Sequence, residues 1–303
     1  MYSVIIPAKN EEKNIERCIR SIYGSINNGV VEVIVVDNGS RDKTVAVAKS
    51  NGAKVLVDEK ANVSGLRNLG AVNSSYPILA FIDADCEAIP GWLDNGASVL
   101  RDVSIGVTGE FPLVPEKKAS WIEKTLYGTP AQKSRVVNYI GSCNMLMRRE
   151  VFELVGGFND QALTGEDTIF CHEVRSLGLK IVADPRVSVI HYGFPKNLKQ
   201  LFRRELWHGM GMIDLFKQGR LTLPLIWAFI NLGLVGALML FVCFGMRIAC
   251  IAVLVCFALL PMGASLLRMY RMQLRGNFFK LYVIFWVYGV ARTVSLSRII
   301  LKV

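Results

Sequence analysis

Ile78-Leu-Ala-Phe-Ile-Asp-Ala-Asp85 decides how the first 220 residues of this sequence fold. Five apolar residues with β-branched ends suit a strand buried on both faces, and two carboxylates follow where such a strand leaves its sheet. On either side, Tyr2-Ser-Val-Ile-Ile6, Val31-Glu-Val-Ile-Val-Val36 and Lys54-Val-Leu-Val57 read as further strands. Polar stretches of helical length separate them, so the spacing predicts an α/β domain whose parallel sheet is covered by helices. The strand tips are polar: Pro7-Ala-Lys-Asn10, Asp37-Asn-Gly-Ser40 and Asp83-Ala-Asp85. An open α/β sheet binds ligands at the carboxyl ends of its strands, which brings the three tips to one cleft. Two carboxylates on one turn there suit a hard divalent cation, Mg²⁺ or Mn²⁺.

Charge divides the 303 residues in two. The formal net charge is +10, yet residues 221–303 hold six Arg, two Lys and no Asp or Glu, leaving 27 basic and 25 acidic side chains in the first 220. The basic excess belongs to the tail, which excludes a nucleic-acid surface on the main domain. Leu221 to Phe244 and Ile248 to Leu267 are uncharged runs, each long enough to cross a hydrocarbon core of ~30 Å. Only Gly245-Met-Arg247 separates them, so a transmembrane helical hairpin is predicted. Leu281 to Ala291 precedes Arg292, Arg298 and Lys302 and fits either a third span over 281–300 or a helix lying in the interface.

Residues 196–220 form a basic amphipathic segment, with Leu198, Phe202, Leu206, Ile213 and Phe216 recurring among Lys199, Arg203, Arg204 and Lys217. Arg203, Arg204, Lys217 and Arg220 precede the first span; Arg268, Arg271, Arg275 and Lys280 follow the second; Arg247 alone lies between. Positive-inside asymmetry places both flanks and the main domain on the cytosolic side of a multi-pass cytoplasmic-membrane protein. Met1 leads into the first strand without a signal-peptide pattern, in keeping with that orientation. Seven cysteines without a C-x-x-C pair indicate neither a disulfide framework nor a zinc site.

Val4-Ile-Ile-Pro-Ala-Lys-Asn-Glu-Glu12, Val33-Ile-Val-Val-Asp-Asn-Gly-Ser-Arg-Asp-Lys-Thr44, Gly65-Leu-Arg-Asn-Leu-Gly70, Phe81-Ile-Asp-Ala-Asp85, Gly156-Gly-Phe158 and Gly165-Glu-Asp167 follow one another in the order seen in family 2 glycosyltransferases of the GT-A fold. The sequence resembles that family from residue 3 to about 192. The resemblance implies a GT-A catalytic domain over 1–195, a Rossmann-like, mostly parallel sheet, ahead of the segment 196–220 and a membrane domain over 221–303. It also implies a nucleotide-diphosphosugar donor, a divalent metal and inversion at the anomeric carbon. By the same resemblance Pro7, Ala8 and Glu11 lie against the nucleoside, and Asp37 contacts base or ribose. Asn38 stands where the family often has a second Asp. Arg67 reaches the nucleotide, Asp83 the ribose or metal, Asp85 the metal, and Asp167 is the catalytic base. His191, ending the strand-like Val187-Ser-Val-Ile-His-Tyr192, is a further candidate for the metal or diphosphate.

Those residue types suit the chemistry. An inverting transfer needs a base to take the acceptor hydroxyl proton, and a metal to neutralise the departing diphosphate. A helix opening at Thr164, with Thr164 as N-cap and Asp167 at its third position, would stabilise the base's charge. Glu166, Arg203, Arg204 and Trp207 are expected toward the acceptor or a lipid phosphate at headgroup level. Gln200-Leu-Phe-Arg-Arg204 is similar to the Q-x-x-R-W motif of processive relatives, with Arg in place of Trp, and two or three spans enclose no polymer channel. The sequence therefore predicts a membrane-anchored enzyme that glycosylates a lipid-linked (polyprenyl) saccharide in surface or exopolysaccharide synthesis. A polyprenyl-phosphate glycosyltransferase is the alternative. A non-enzymatic nucleotide-sugar-binding scaffold subunit is a third reading, opposed by the presence of both Asp85 and Asp167. An oxidoreductase is disfavoured because no G-x-G-x-x-G follows the first strand.

Overall fold

The computed structural model describes residues 1–27, 29–128, 131–212, 216, 221–272 and 277–301. Ile213, Lys217, Arg220, Arg275 and Lys302, named above, lie outside the described residues. The chain forms two compact units, Met1–Lys117 with Pro130–Phe194, and Lys118–Thr129 with Pro195–Val303.

In the first unit, β1 (Tyr2–Ala8), α1 (Ile15–Tyr23), β2 (Val31–Asp37), α2 (Thr44–Ser50), β3 (Lys54–Val57), α3 (Val63–Val72) and β4 (Ile78–Ile82) follow the predicted βαβ rhythm. Then come β5 (Cys86–Ala88), α4 (Trp92–Val99), β6 (Ile105–Gly109), β7 (Arg135–Val137), β8 (Asn144–Arg148), α6 (Arg149–Val155), α7 (Glu166–Ser176), β9 (Lys180–Ala183) and β10 (Val189–His191). The main sheet has the order β3-β2-β1-β4-β8-β6-β9-β7. β8 pairs antiparallel with β4 and β6, and β7 antiparallel with β9, while the other neighbours are parallel. Six strands thus end at the same edge. β5 and β10 make a separate antiparallel ribbon in which His191 stands opposite Cys86.

The period of two along β1 sends Val4 and Ile6 to one core and Ile5 to the other. Val4 and Ile6 share their cluster with Ile15, Cys18, Ile19 and Ile22, the apolar stripe of α1. Ile5 packs with Ile34, Phe81 and Leu66. Gly70 of α3 lies so close to Ile5 that a Cβ there would overlap its side chain.

The helix expected from Thr164 starts instead at Glu166, with Gly165 as N-cap at φ 80°. The left-handed residue turns the chain sharply before the helix, so Thr164 does not cap it and Asp167 takes the second helical position.

The second unit contains α5 (Trp121–Tyr127), α8 (Leu198–Met210), α9 (Leu223–Cys243), α10 (Arg247–Met272) and α11 (Phe278–Ile300). α5 begins with a reciprocal capping box: Glu123 N–H donates to Ser120 Oγ at 3.3 Å, and Ser120 N–H to Glu123 Oε2 at 2.7 Å. It packs on α8 and α11 through Ile122, Leu201 and Ile284. α9, α10 and α11 are each long and apolar enough to cross a membrane. α11 runs unbroken past Arg292, whose guanidinium donates to Glu205 Oε2 of α8 at 2.7 Å. The charge that interrupts this helix's apolar run is paired.

Gly70→Ala should cost about 1–3 kcal/mol by overpacking the Ile5 core. A lower thermal midpoint with unchanged secondary structure is the expected result, and an unchanged midpoint would contradict this packing.

Candidate active site

The shared strand edge collects the acidic residues that the sequence singled out. Pro7 and Ala8 are the buried last residues of β1, and Asp37 is the buried last residue of β2. Asp37 accepts from the Ser40 N–H at 2.8 Å and from the Ser40 hydroxyl at 2.5 Å, which closes the turn after β2. Asn38 does something an aspartate could not: its amide donates to the carbonyls of Asp58 and Ala61, at 2.8 and 2.9 Å, tying this turn to the entry of α3. Lys9 Nζ donates to Asn38 Oδ1 at 2.8 Å. Glu11 accepts from Asn14 at 2.7 Å, and burial pushes its carboxyl up against the pull of that hydrogen bond.

Arg67 projects from α3 into the centre of this group and is 3% exposed. Its Nη2 donates to Asp83 Oδ1 and its Nη1 to Glu166 Oε1, each at 2.8 Å. Glu166 is itself buried, and also receives the Ser142 hydroxyl at 3.3 Å. One buried cation therefore pairs with two of the four carboxylates carried by Asp83-Ala-Asp85 and Glu166-Asp167. Without it, the buried Glu166 and the half-buried Asp83 would both lose their cationic partner.

The two remaining carboxylates have other surroundings. Asp85 lies 3.5 Å from His191 Nε2 and packs against Gly193, where a Cβ would collide with its Oδ2. Burial raises the Asp85 carboxyl above its ordinary range, opposed by His191 and reinforced by Asp83. The β5–β10 pairing makes this approach, since it sets His191 opposite the residue that follows Asp85. Asp167 is half-buried; its Oδ1 accepts from the Thr168 N–H at 2.7 Å and its Oδ2 from the Tyr139 hydroxyl at 3.1 Å. Burial first, and the Glu166 charge second, push Asp167 up to about 6, with Arg67 opposing.

Donor chemistry around Asp85 can be tested against a divalent cation. Among the described residues, Asp85, Cys86 and His191 each offer a ligand atom within 4.8 Å of the others. Cys86 is wholly buried, and burial holds its thiol well above the usual range, which makes it the poorest match of the three to a hard cation. A carboxylate oxygen and an imidazole nitrogen remain. This pair fits Mg²⁺ or Mn²⁺ better than a thiolate-seeking metal.

Sequence reading missed four participants. Tyr139 and Ser142 lie before β8 in a stretch without periodicity, and carry no motif. Arg17, in the first turn of α1, stacks 3.7 Å over the Tyr192 ring and favours the ionised form of Asp85. Gly193 lies two residues beyond His191 and has no positive φ to mark it. Arg203, Arg204 and Trp207 are placed on α8 in the second unit. Arg203 and Trp207 are exposed there, and Arg204 lies 5.6 Å from the Tyr127 ring centre.

Residues 3–156 match the family described as glycosyl transferase family 2, and residues 129–290 match glycosyl transferase family group 2. The chain is 28% identical over 251 residues to glycosyltransferase AglE of Haloferax volcanii, covering 78% of this chain and 81% of that one. It is 25% identical over 217 residues to the O-antigen biosynthesis protein RfbC of Myxococcus xanthus, of which it spans 17%. Mannosyltransferase PcManGT from Pyrobaculum calidifontis, solved in complex with GDP-Man and Mn²⁺, has a similar fold: TM-score 0.64 at 17% identity, over 97% of this chain and 86% of that one.

Arg67→Leu should leave Asp83 and Glu166 uncompensated and destabilise the first unit by about 3 kcal/mol or more. Arg67→Lys should recover only part of this, because an ammonium cannot span two carboxylates with a planar fork. Thermal melts of both variants check the order, and equal stability of Arg67→Leu and the parent would refute the assignment.

Proposed function

The chain belongs to glycosyl transferase family 2, and from that premise we propose that it is an inverting, membrane-anchored enzyme that moves a sugar from a nucleoside diphosphate to a lipid-linked saccharide. The observation that carries this reading is the division of four carboxylates by one arginine. Arg67 occupies Asp83 and Glu166, leaving Asp85 with His191 and Asp167 with Tyr139. The two ends of a glycosyl transfer make opposite demands, charge neutralisation at the leaving diphosphate and proton removal at the acceptor.

Asp85 and His191 would hold the divalent metal, which supplies Lewis-acid neutralisation of the departing diphosphate when bound. A metal-bound Mn²⁺ relative of the same fold supports this choice of cofactor. Pro7, Ala8, Glu11, Asp37 and Asn38 line the tips of β1 and β2 as the nucleoside side of the site. Asp83, fixed by Arg67, is the carboxylate nearest in sequence to Asp85 and faces the ribose or metal. At the other end, Asp167 takes the proton of the acceptor hydroxyl as its oxygen attacks the anomeric carbon. The bond to the diphosphate oxygen breaks on the opposite face, so configuration inverts. A base with a pKa near 6 is ionised at neutral pH yet still basic enough to accept a proton.

The lipid-linked acceptor is inferred from the three apolar helices and the acid-free basic tail. An anchor concentrates the enzyme where a polyprenyl-linked substrate resides, and the flanking Arg203, Arg204 and Arg268 suit a cytosolic headgroup layer. The first unit would then face the cytosol, where nucleotide sugars are made. Similarity to an O-antigen biosynthesis protein supports a surface-glycan pathway.

Two measurements test the mechanism. Asp167→Asn should lower single-turnover transfer by roughly 10²–10⁴-fold with little change in donor affinity. In the parent, kcat/KM should fall as pH drops through about 6, since protonating Asp167 removes the base. A decrease below about tenfold for Asp167→Asn would point to an acceptor that is already ionised, a polyprenyl phosphate. Separately, EDTA should abolish transfer and Mn²⁺ or Mg²⁺ restore it, whereas Asp85→Asn should respond to neither; full activity in EDTA would remove the metal from the mechanism.

A further inference from the structure

One aromatic side chain at the edge of the first unit has no task in the scheme above. Phe111, two residues beyond β6, is 45% exposed although its neighbour Glu110 is buried. Its backbone is pinned: the Phe111 N–H donates to Glu110 Oε1 at 2.8 Å, and the Glu110 carbonyl accepts from Asn144 Nδ2 at 2.9 Å. Arg135 holds the same carboxylate with both Nη atoms, at 2.7 and 2.8 Å, and its Cζ lies 5.8 Å from the Phe111 ring centre. The Tyr139 ring lies 6.2 Å from that of Phe111 at 51°, and the Tyr139 hydroxyl donates to Asp167. A continuous chain of contacts thus joins an exposed aromatic face to the carboxylate proposed as base.

We infer that Phe111, Tyr139 and Arg135 form the subsite for the acceptor's terminal sugar ring. Three observations point to a sugar. An exposed aromatic face suits the apolar C–H face of a pyranose, which a phosphate lacks. The Arg135 side chain is 38% exposed, and a guanidinium has N–H donors beyond the two given to Glu110, so hydroxyl acceptors can be met there. Because Glu110 already neutralises Arg135, the pair offers a sugar hydrogen bonds without offering a phosphate net positive charge. Tyr139 is a positioning residue: it orients Asp167 Oδ2 and stabilises the ionised carboxylate.

This inference rests on the glycosyl-transfer reading and narrows its acceptor to a saccharide hydroxyl. Full-length enzyme in a non-glycosidic detergent would be assayed with farnesyl-diphosphate-linked monosaccharides and with farnesyl phosphate, using the donor selected from a UDP-, GDP- and dTDP-sugar panel. Transfer to a saccharide is expected. Phe111→Ala should raise the acceptor KM about tenfold with the donor KM within twofold, and Phe111→Trp should return it toward the parent value. Tyr139→Phe should move the acidic limb of the pH profile upward, as loss of a hydrogen bond to the ionised base requires. Transfer to farnesyl phosphate alone, or an unchanged acceptor KM in Phe111→Ala, would overturn the subsite while leaving a glycosyltransferase. Failure of the parent to consume any donor would instead overturn the functional reading and the subsite with it.

Discussion

The paired grip of Arg67 on Asp83 and Glu166 is the constraint on which the rest of the site depends. Two acidic tips, one after β4 and one opening α7, meet at a strand edge where burial makes each unshared negative charge costly. A single guanidinium can serve both because its fork presents donors in two directions. Its placement also fixes the asymmetry of the site. The first carboxylate of each acidic pair is turned toward Arg67 in the order Asp83, Glu166, and the second of the β4 pair and of the α7 pair is left for other partners.

Sheet topology explains how such distant residues arrive together. Parallel β1, β2 and β4 bring their carboxyl ends to one edge, as the crossover helices require. Antiparallel β8, inserted beside β4, then starts at that same edge, so the residues leading into it, Tyr139 to Ser142, stand beside the acidic tips. Asn144 anchors the insertion: its amide nitrogen donates to Glu110 and Val187 carbonyls, and its oxygen accepts from the Trp92 indole at 2.7 Å. A wholly buried amide with its hydrogen-bonding capacity met locks β8 against β6 and the chain before β10.

Legibility in the sequence followed the physics of each element. Strands β1, β2 and β4 are apolar runs, largely buried and ending in polar tips, and the edge strand β3 is a short β-branched run, so their positions were visible, as were Asp37, Asp83, Asp85 and Asp167. β7 and β8 were not, since Arg135-Val-Val137 and Asn144-Met-Leu-Met-Arg148 are short, carry polar ends and follow a stretch punctuated by Gly and Pro. The N-cap of α7 was misplaced because Thr164 is the better side-chain cap, whereas the local turn needs a left-handed residue and uses Gly165. Arg67 was visible as a residue but not as a buried cross-link. Spacing within α3 gives no hint that Glu166, 99 residues away, supplies its second partner.

The tail poses the reverse problem, since its charges were obvious and their solution was not. Residues 221–303 contain no acid, so Arg292, buried in α11, can find a side-chain carboxylate only from outside that stretch. Glu205 of α8 supplies it, and Gly209, one turn further on, lets Ser295 approach closely enough for its hydroxyl to donate to the Leu206 carbonyl at 2.6 Å. The two polar contacts lie within one turn on each helix, so α8 meets α11 along a polar seam. This seam explains how a segment read as a marginal third span becomes a 23-residue helix. The amphipathic helix satisfies the charge that would otherwise oppose burial of α11.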